Sequence, residues 1–368
     1  MSLRLPPSSS HRWSNCALFL FASQGYPEPP EGDEAREGTC AAWVAQVVLT
    51  GHAVNCAALV GRNHTNGWLV NETMAADVQE YVNTVAKRGG TTTCESTVTL
   101  SLEPFISGTL DLSATIGNVP TLYVDDLKYG RKIVEVRKNT QLIIYAAAVL
   151  RKYAPGTFNL VQLGIYQPRA FHRDGIYRKW VISVAELETR AAAIIEAGRR
   201  AVPPPGDDGS WKPEAATPGE WCEYCPIATR CEALAQTNYA RISLVQSQSH
   251  RDMTPLEMSR ELDFLEEAEA TLKARKKAVI AEGETRARKE RIPGYGLEMG
   301  TGQKRFNVDR AVIKMMTGID PVEEKICTPA ELIRRGASKD AVAALSIVPN
   351  TGMKLVKVDI AAAFEGKS

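Results

Sequence analysis

A chain of 368 residues is longer than one hydrophobic core usually organises, so a main domain with a smaller second region is expected. Hydrophobic residues at 44% and charged residues at 24% exclude wholesale disorder and fibrous repeats. The net charge of +1 excludes a global positive field, so any affinity for nucleic acid has to come from local patches.

In chain order, the first apolar run is Cys16-Ala-Leu-Phe-Leu-Phe-Ala22, which follows Arg4 and Arg12. It is as short as the apolar stretch of a signal peptide can be and no convincing cleavage site follows, so export is not expected. No run approaches the roughly 18–20 apolar residues of a membrane-spanning helix. The expected compartment is therefore a reducing cytoplasm, where eight cysteines point to metal binding or chemistry more than to disulfides.

Short β-rich runs follow between Thr93 and Val136: Ser96 to Leu100, Gly108 to Ile116, Leu122 to Leu127, and Ile133 to Val136, punctuated by turn residues such as Gly117-Asn118. An Ala- and Leu-rich helix is expected from Thr140 to Tyr153, then a strand from Asn159 to Gln167 and a helix from Val184 to Ala201. Strands and helices in this order predict an α/β core rather than a bundle. The Pro/Gly-rich stretch from Pro203 to Gly219 reads as a surface loop leading into a cysteine cluster. Met253 to Arg291 reads as one or two long helices, with Thr254 as N-cap and Pro255 at the first helical position. Between Lys273 and Arg305 ten basic side chains face four acidic ones, a local charge of +6. Such a run serves either as a solvated helix face or as a DNA-facing patch. Beyond the break at Ile292-Pro-Gly-Tyr-Gly296 a small α/β part is expected, and no internal repeat is visible. The expected division is 1–240 for the main domain and 241–368 for an accessory region.

Asp111 closes the run Gly108-Thr-Leu-Asp111, and Asp126 and Lys128 lie two apart on the next predicted strand. Side chains two apart share a strand face, so neighbouring strands can gather two carboxylates and an ammonium around a space able to hold Mg²⁺ or Mn²⁺. Such a set suits phosphodiester hydrolysis: the cation stabilises charge building on phosphoryl oxygens and acidifies a bound water, and the lysine orients or polarises that nucleophile. Taken alone, an Asp and an Asp-x-Lys are a weak signal, since they recur by chance in α/β proteins and more often serve surface ion pairing. Gln141 and Tyr145 add a polar pair one turn apart on the following helix, placed either to meet a DNA backbone or to half-bury an aromatic ring.

Cys222, Cys225 and Cys231 form a Cys-x2-Cys-x5-Cys run, with Cys16 the best candidate for a distant fourth ligand. Four soft thiolates suit an iron–sulfur cluster or zinc. Cys40, Cys56, Cys94 and Cys327 read as isolated, buried thiols.

These motifs resemble those of phage and prophage nucleases of the PD-(D/E)xK superfamily, allied to RecB- and AddB-type nuclease domains and the CRISPR adaptation nuclease. The resemblance runs nearly end to end, through Ser10-His-Arg-Trp-Ser-Asn-Cys16, Glu37-Gly-Thr39, Gly108 to Asp111, Asp126-Leu-Lys-Tyr-Gly130, Gln141 to Tyr145, Gln167-Pro-Arg169, the three-cysteine run and Ile292-Pro-Gly-Tyr295. It implies a restriction-endonuclease-like core with a central mixed sheet flanked by helices. It further implies Asp111 and Asp126 as metal ligands, Lys128 as catalytic lysine, Gln141 and Tyr145 as further motif residues, and a [4Fe–4S] cluster on Cys16, Cys222, Cys225 and Cys231. The cluster would pin the two ends of the nuclease domain together.

The chain departs from the family where relatives carry a metal-binding His and, four residues on, a Glu: here stand Ala42 and Gln46. Glu37 is the candidate to substitute as a ligand, ahead of Glu95 and His52. The implied activity is a divalent-metal-dependent DNA exonuclease in phage recombination or replication, partnered by DNA and by a single-strand annealing or recombination protein. The alternatives are a DNA-binding subunit that keeps the fold with weakened chemistry, and a zinc-stabilised scaffold with no nucleic-acid role.

Overall fold

The structure is a computed structural model that describes residues 4–26, 32–89, 91–94, 99–109, 113–116, 120–247, 253–297 and 315. Its helices are α1 (Ser10–Trp13), α2 (Leu18–Ser23), α3 (Asp33–Leu49), α4 (Glu72–Ala86), α5 (Thr140–Leu150), α6 (Val184–Ala201), α7 (Glu232–Ser247) and α8 (Pro255–Ala287). The strands are β1 (Thr91–Cys94), β2 (Thr99–Glu103), β3 (Ile106–Thr109), β4 (Ser113–Ile116), β5 (Thr121–Leu127), β6 (Leu160–Tyr166) and β7 (Tyr177–Ser183).

Five strands form one mixed sheet in the order β1-β4-β5-β6-β7, with β5 and β6 parallel and the other neighbours antiparallel. Strands β2 and β3 make a separate hairpin. The parallel pair has to be joined by a crossover, and α5 supplies it. Its first turn is closed by Asn139, whose side chain accepts a hydrogen bond from Leu142 N at 3.1 Å.

Helices cover both faces of the sheet. Leu122 and Val124 of β5 pack with α5 and α6 in one core that also takes in Trp13 and the β2–β3 hairpin. Leu127, Tyr129 and Tyr166 pack with α3 and α4 in a second core on the opposite face. Because successive β5 side chains alternate, its even-numbered residues belong to the α5 side and its odd-numbered residues to the α3/α4 side.

The expected α/β core is present, and the helix over 184–201 has the bounds read from its apolar spacing. The stretch Ile133–Val136 is not a strand. The backbone of this loop is held by a side chain from residue 130 onward: Gln167 Nε2 donates to the carbonyls of Gly130 (2.8 Å) and Lys132 (2.7 Å), and Gln167 Oε1 accepts from Val134 N at 3.1 Å. Strand β7 was not foreseen, because Arg178 breaks its apolar alternation; Arg178 points inward and is buried against Gln167 Oε1 at 2.6 Å. The span 108–116, read as one strand, contains the end of β3 and all of β4, which belong to different sheets.

The chain divides into compact units 1–297 and 298–368. The boundary expected at 240/241 falls inside α7, which packs along α8: Arg241 donates to Thr271 Oγ1 at 2.7 Å and pairs with Glu267 at 3.0 Å. The expected small α/β part beyond residue 297 lies outside the described residues, apart from Met315. Among the described residues no helix is long and apolar enough to cross a membrane.

Gly164 of β6 lies opposite Asp125 of β5, and a Cβ there would overlap the Asp125 carboxylate and stand 2.8 Å from the Tyr177 ring. Gly164→Ala is therefore expected to destabilise the protein by about 1–3 kcal/mol through overpacking, read as a lower urea midpoint at unchanged slope.

Candidate functional site

Strand β5 ends in Asp125-Asp126-Leu127-Lys128, and the alternation of side chains sends the two acids to opposite faces. Asp126 is 2% exposed, and its carboxylate pairs with Lys128 Nζ at 2.7 Å. The same ammonium donates to Gln141 Oε1 at 3.4 Å, while Lys128 N donates to Tyr166 O at 2.9 Å and so continues the ladder between β5 and β6. Gln141 stands in the first turn of α5, beside Thr140, whose hydroxyl is 2.6 Å from that of Ser10 on α1. The structure thus brings Asp126, Lys128 and Gln141 together at the C-terminal end of β5. Asp111 lies outside the described residues.

Tyr145 is one turn beyond Gln141 but only 2% exposed, inside the core shared by α5, α6 and the sheet. At that exposure Tyr145 offers no open surface to a DNA backbone. Glu37 on α3 is ion-paired with Arg169, whose guanidinium lies 4.9 Å from the centre of the Tyr129 ring. Tyr129 in turn donates to Asp77 at 3.1 Å, and burial together with the Asp77 charge pushes its hydroxyl pKa up. Glu37 therefore sits in a network on the α3/α4 side of the sheet, where a metal ion would compete with Arg169 for its carboxylate. Ala42 and Gln46 are on α3, both partly exposed.

Asp125, the other acid of the pair, was passed over in the sequence. It is fully buried and ion-paired with Arg88, and it accepts a hydrogen bond from Tyr177 Oη at 2.7 Å. Arg88 satisfies that buried charge from α4's C-terminal end, which makes Asp125 a packing element rather than an open ligand.

The cysteines form the second constellation. Cys16, between α1 and α2, lines one small pocket with Cys222, Cys225 and Cys231, walled by Phe19, Ala228 and Leu234. Gly219 N and Leu234 N each lie 3.5 Å from a sulfur, those of Cys222 and Cys231. Burial, with the neighbouring thiols, pushes Cys225 up to about 11 and Cys222 in the same direction. Thiols in such surroundings become thiolates only when a cation shares the pocket. Among the described residues no group of three or more His, Cys, Asp or Glu side chains is gathered closely enough to hold a single metal ion. The isolated thiols behave as expected where described: Cys40 and Cys56 are buried in the α3/α4 core. Cys327 and Glu95 lie outside the described residues.

The cysteine segment is also tied to the rest of the domain by charge. Glu223 bridges Lys132, in the loop after β5, and Lys277 of α8, the latter at 3.0 Å. Tyr224 adopts a left-handed backbone with φ +65, a conformation costing roughly 1–2 kcal/mol, and its ring lies 3.5 Å under the Lys277 ammonium. Partial burial raises the Glu223 pKa, but hydrogen bonds from Lys132 and Lys277 outweigh it and hold the carboxyl at about 2. The folded pKa is thus depressed below the ordinary 4.5. The stabilisation from Glu223 is present in full above about pH 4.5 and is lost as pH falls toward 2. Glu223→Gln is expected to remove that part of the acid limb, so wild type and variant differ in urea stability at pH 6 and converge near pH 2–3; a pH-independent difference would show that the ion pairs contribute nothing.

A family described as "Protein of unknown function (DUF2800)" matches residues 3–344, more than nine-tenths of the chain. The chain belongs to that family. No curated protein matches it. The match runs from before α1 into the second compact unit, and the chemistry has to be argued from the side chains.

Proposed function

We propose that this DUF2800 chain is a divalent-metal-dependent DNA nuclease with a PD-(D/E)xK core, acting on DNA ends in phage recombination or replication. The observation that carries the reading is the convergence of Asp126, Lys128 and Gln141, from a strand and the helix after it, at one end of a mixed sheet covered by helices. Asp111 and Asp126 would hold Mg²⁺ or Mn²⁺, hard cations that take carboxylate oxygens, and the bound cation would stabilise charge on a phosphoryl oxygen. Lys128 orients or polarises the attacking water beside Asp126, and Gln141 fixes the position of the ammonium. DNA is the proposed substrate and a single-strand annealing or recombination protein the proposed partner.

For the thiol pocket we propose a [4Fe–4S] cluster on Cys16, Cys222, Cys225 and Cys231. Four thiols around one apolar-walled pocket, with backbone N–H groups on two sulfurs, fit such a group. Zinc is the alternative occupant, since four thiolates suit either group, and metal analysis of the purified protein separates the two. The cluster would join the chain before α2 to the chain before α7, a structural staple suited to a reducing cytoplasm.

A second reading, a DNA-binding subunit with weakened chemistry, is favoured by Ala42 at the place of an imidazole ligand. Incubation of the anaerobically purified protein with end-labelled linear DNA and circular DNA, with Mg²⁺ or Mn²⁺, separates the two. The nuclease reading predicts metal-dependent shortening of linear DNA only. Salt-sensitive binding without cleavage in any divalent metal supports the second reading instead.

A further inference from the structure

Helix α8 runs for 33 residues, about 50 Å, and hides only a narrow face: Ala268, Thr271 and Ala274 are buried, with α7 and the cysteine segment against them. Beside that face lies a row of large apolar side chains repeating every seven residues, Met258, Leu265, Leu272 and Val279, exposed at 50%, 43%, 38% and 49%. Leu262 and Ile280, exposed at 41% and 50%, widen it. A seven-residue repeat drifts by only about 20° per heptad around a straight helix, so these side chains make one nearly straight seam, the geometry by which helices pair along their length.

Charge along α8 is segregated. Residues 255–270 hold six acids and one Arg, whereas residues 271–287 hold five bases and two acids. Two copies laid parallel would set like charges side by side. Laid antiparallel, each acidic half meets a basic half, and the apolar seam is its own complement about a point between Leu265 and Leu272, with Met258 against Val279 of the other copy.

We propose that α8 is a two-fold, antiparallel docking surface for a second copy of this chain. The seam supplies the apolar contact and the opposed charges set the direction. This inference does not depend on the nuclease reading.

The test uses the full chain. Light scattering after gel filtration is expected to give a dimer whose population falls as salt rises, because the opposed halves are screened. The double variant Leu265→Glu with Leu272→Glu is expected to raise the dimer dissociation constant at least about 100-fold, each buried Leu being worth roughly a tenfold step or more. An unchanged melting curve of that variant shows that the fold survives. If the variant fails to fold, a photo-reactive benzoylphenylalanine at position 272 gives the same answer. Cross-links from it to α8 of another copy support the proposal. A wild-type monomer at all concentrations, a dimer that survives the double variant, or cross-links from position 272 to residues 298–368 of the same chain would each overturn it.

Discussion

Lys128→Met and Asp126→Asn are each expected to lower Mn²⁺-dependent cleavage of linear DNA by about 10²–10³-fold, a loss in kcat more than in KM. The expectation follows from the 2.7 Å contact between a nearly buried carboxylate and an ammonium that is still 28% exposed. Asp126 is itself buried, so some stability is expected to be lost as well, and the activity is compared on folded protein below each variant's melting transition. Lys128→Arg is expected to recover little, because a planar guanidinium cannot occupy the place of a compact ammonium held by Gln141 Oε1. Asp125→Asn makes the instructive contrast. Its carboxylate is buried against Arg88 and Tyr177, so its loss should lower stability by several kcal/mol while the activity of the remaining folded molecules stays near that of wild type. Activity in the Lys128 and Asp126 variants equal to that of wild type would remove both residues from the chemistry.

The second large effect concerns the thiols. Cys16→Ser or Cys225→Ser is expected to abolish the broad visible absorption that the proposed [4Fe–4S] cluster gives the anaerobically purified protein. A link from Cys16 to Cys222 closes a loop of about 200 residues, and removing a constraint of that length costs roughly 5 kcal/mol on the chain-entropy account. The melting temperature should fall accordingly, by more than about 10 °C at roughly 2–4 °C per kcal/mol. Any DNA cleavage measured below that lowered transition should persist, since the pocket is built from α2 and the cysteine segment and not from β5. Colourless wild-type protein containing stoichiometric zinc would instead assign the pocket to that metal.

How much of this was legible in the residues differs by region. Helices α6 and α8 could be read because their signals are local: an apolar spacing closed by Ser183 in one, and a Thr254–Glu257 capping box with Pro255 in the other. The gathering of Cys16 with the three later cysteines was anticipated from their spacing and the resemblance, although some 200 residues intervene. What could not be read were arrangements decided by tertiary partners. Arg178 looks like a surface residue, yet it is buried and donates to Gln167 Oε1 and to the carbonyl of Val134, so a charge stands on the inward face of β7 where an apolar side chain would have signalled a strand. Ile133–Val136 has a strand's composition, yet side chains take up its backbone hydrogen bonds in place of a neighbouring strand: Gln167 accepts from Val134 N, Arg178 donates to Val134 O and Asn139 to Glu135 O. Tyr145 offered a polar handle in the sequence and lies buried in the core. Of the adjacent acids on β5, parity alone separates the one beside Lys128 from the one beside Arg88. Glu37, by contrast, was the right type of residue for a ligand, but the Arg169 charge already occupies it.

Electron paramagnetic resonance of Mn²⁺ titrated into the wild-type chain and into Asp111→Asn and Asp126→Asn reads the ion proposed to be shared by the two carboxylates without requiring turnover. The account predicts a bound Mn²⁺ in the wild type that is lost or weakened at least about tenfold in both variants, one coordinating charge being worth 1.4 kcal/mol or more. Equal Mn²⁺ binding by all three chains would contradict it.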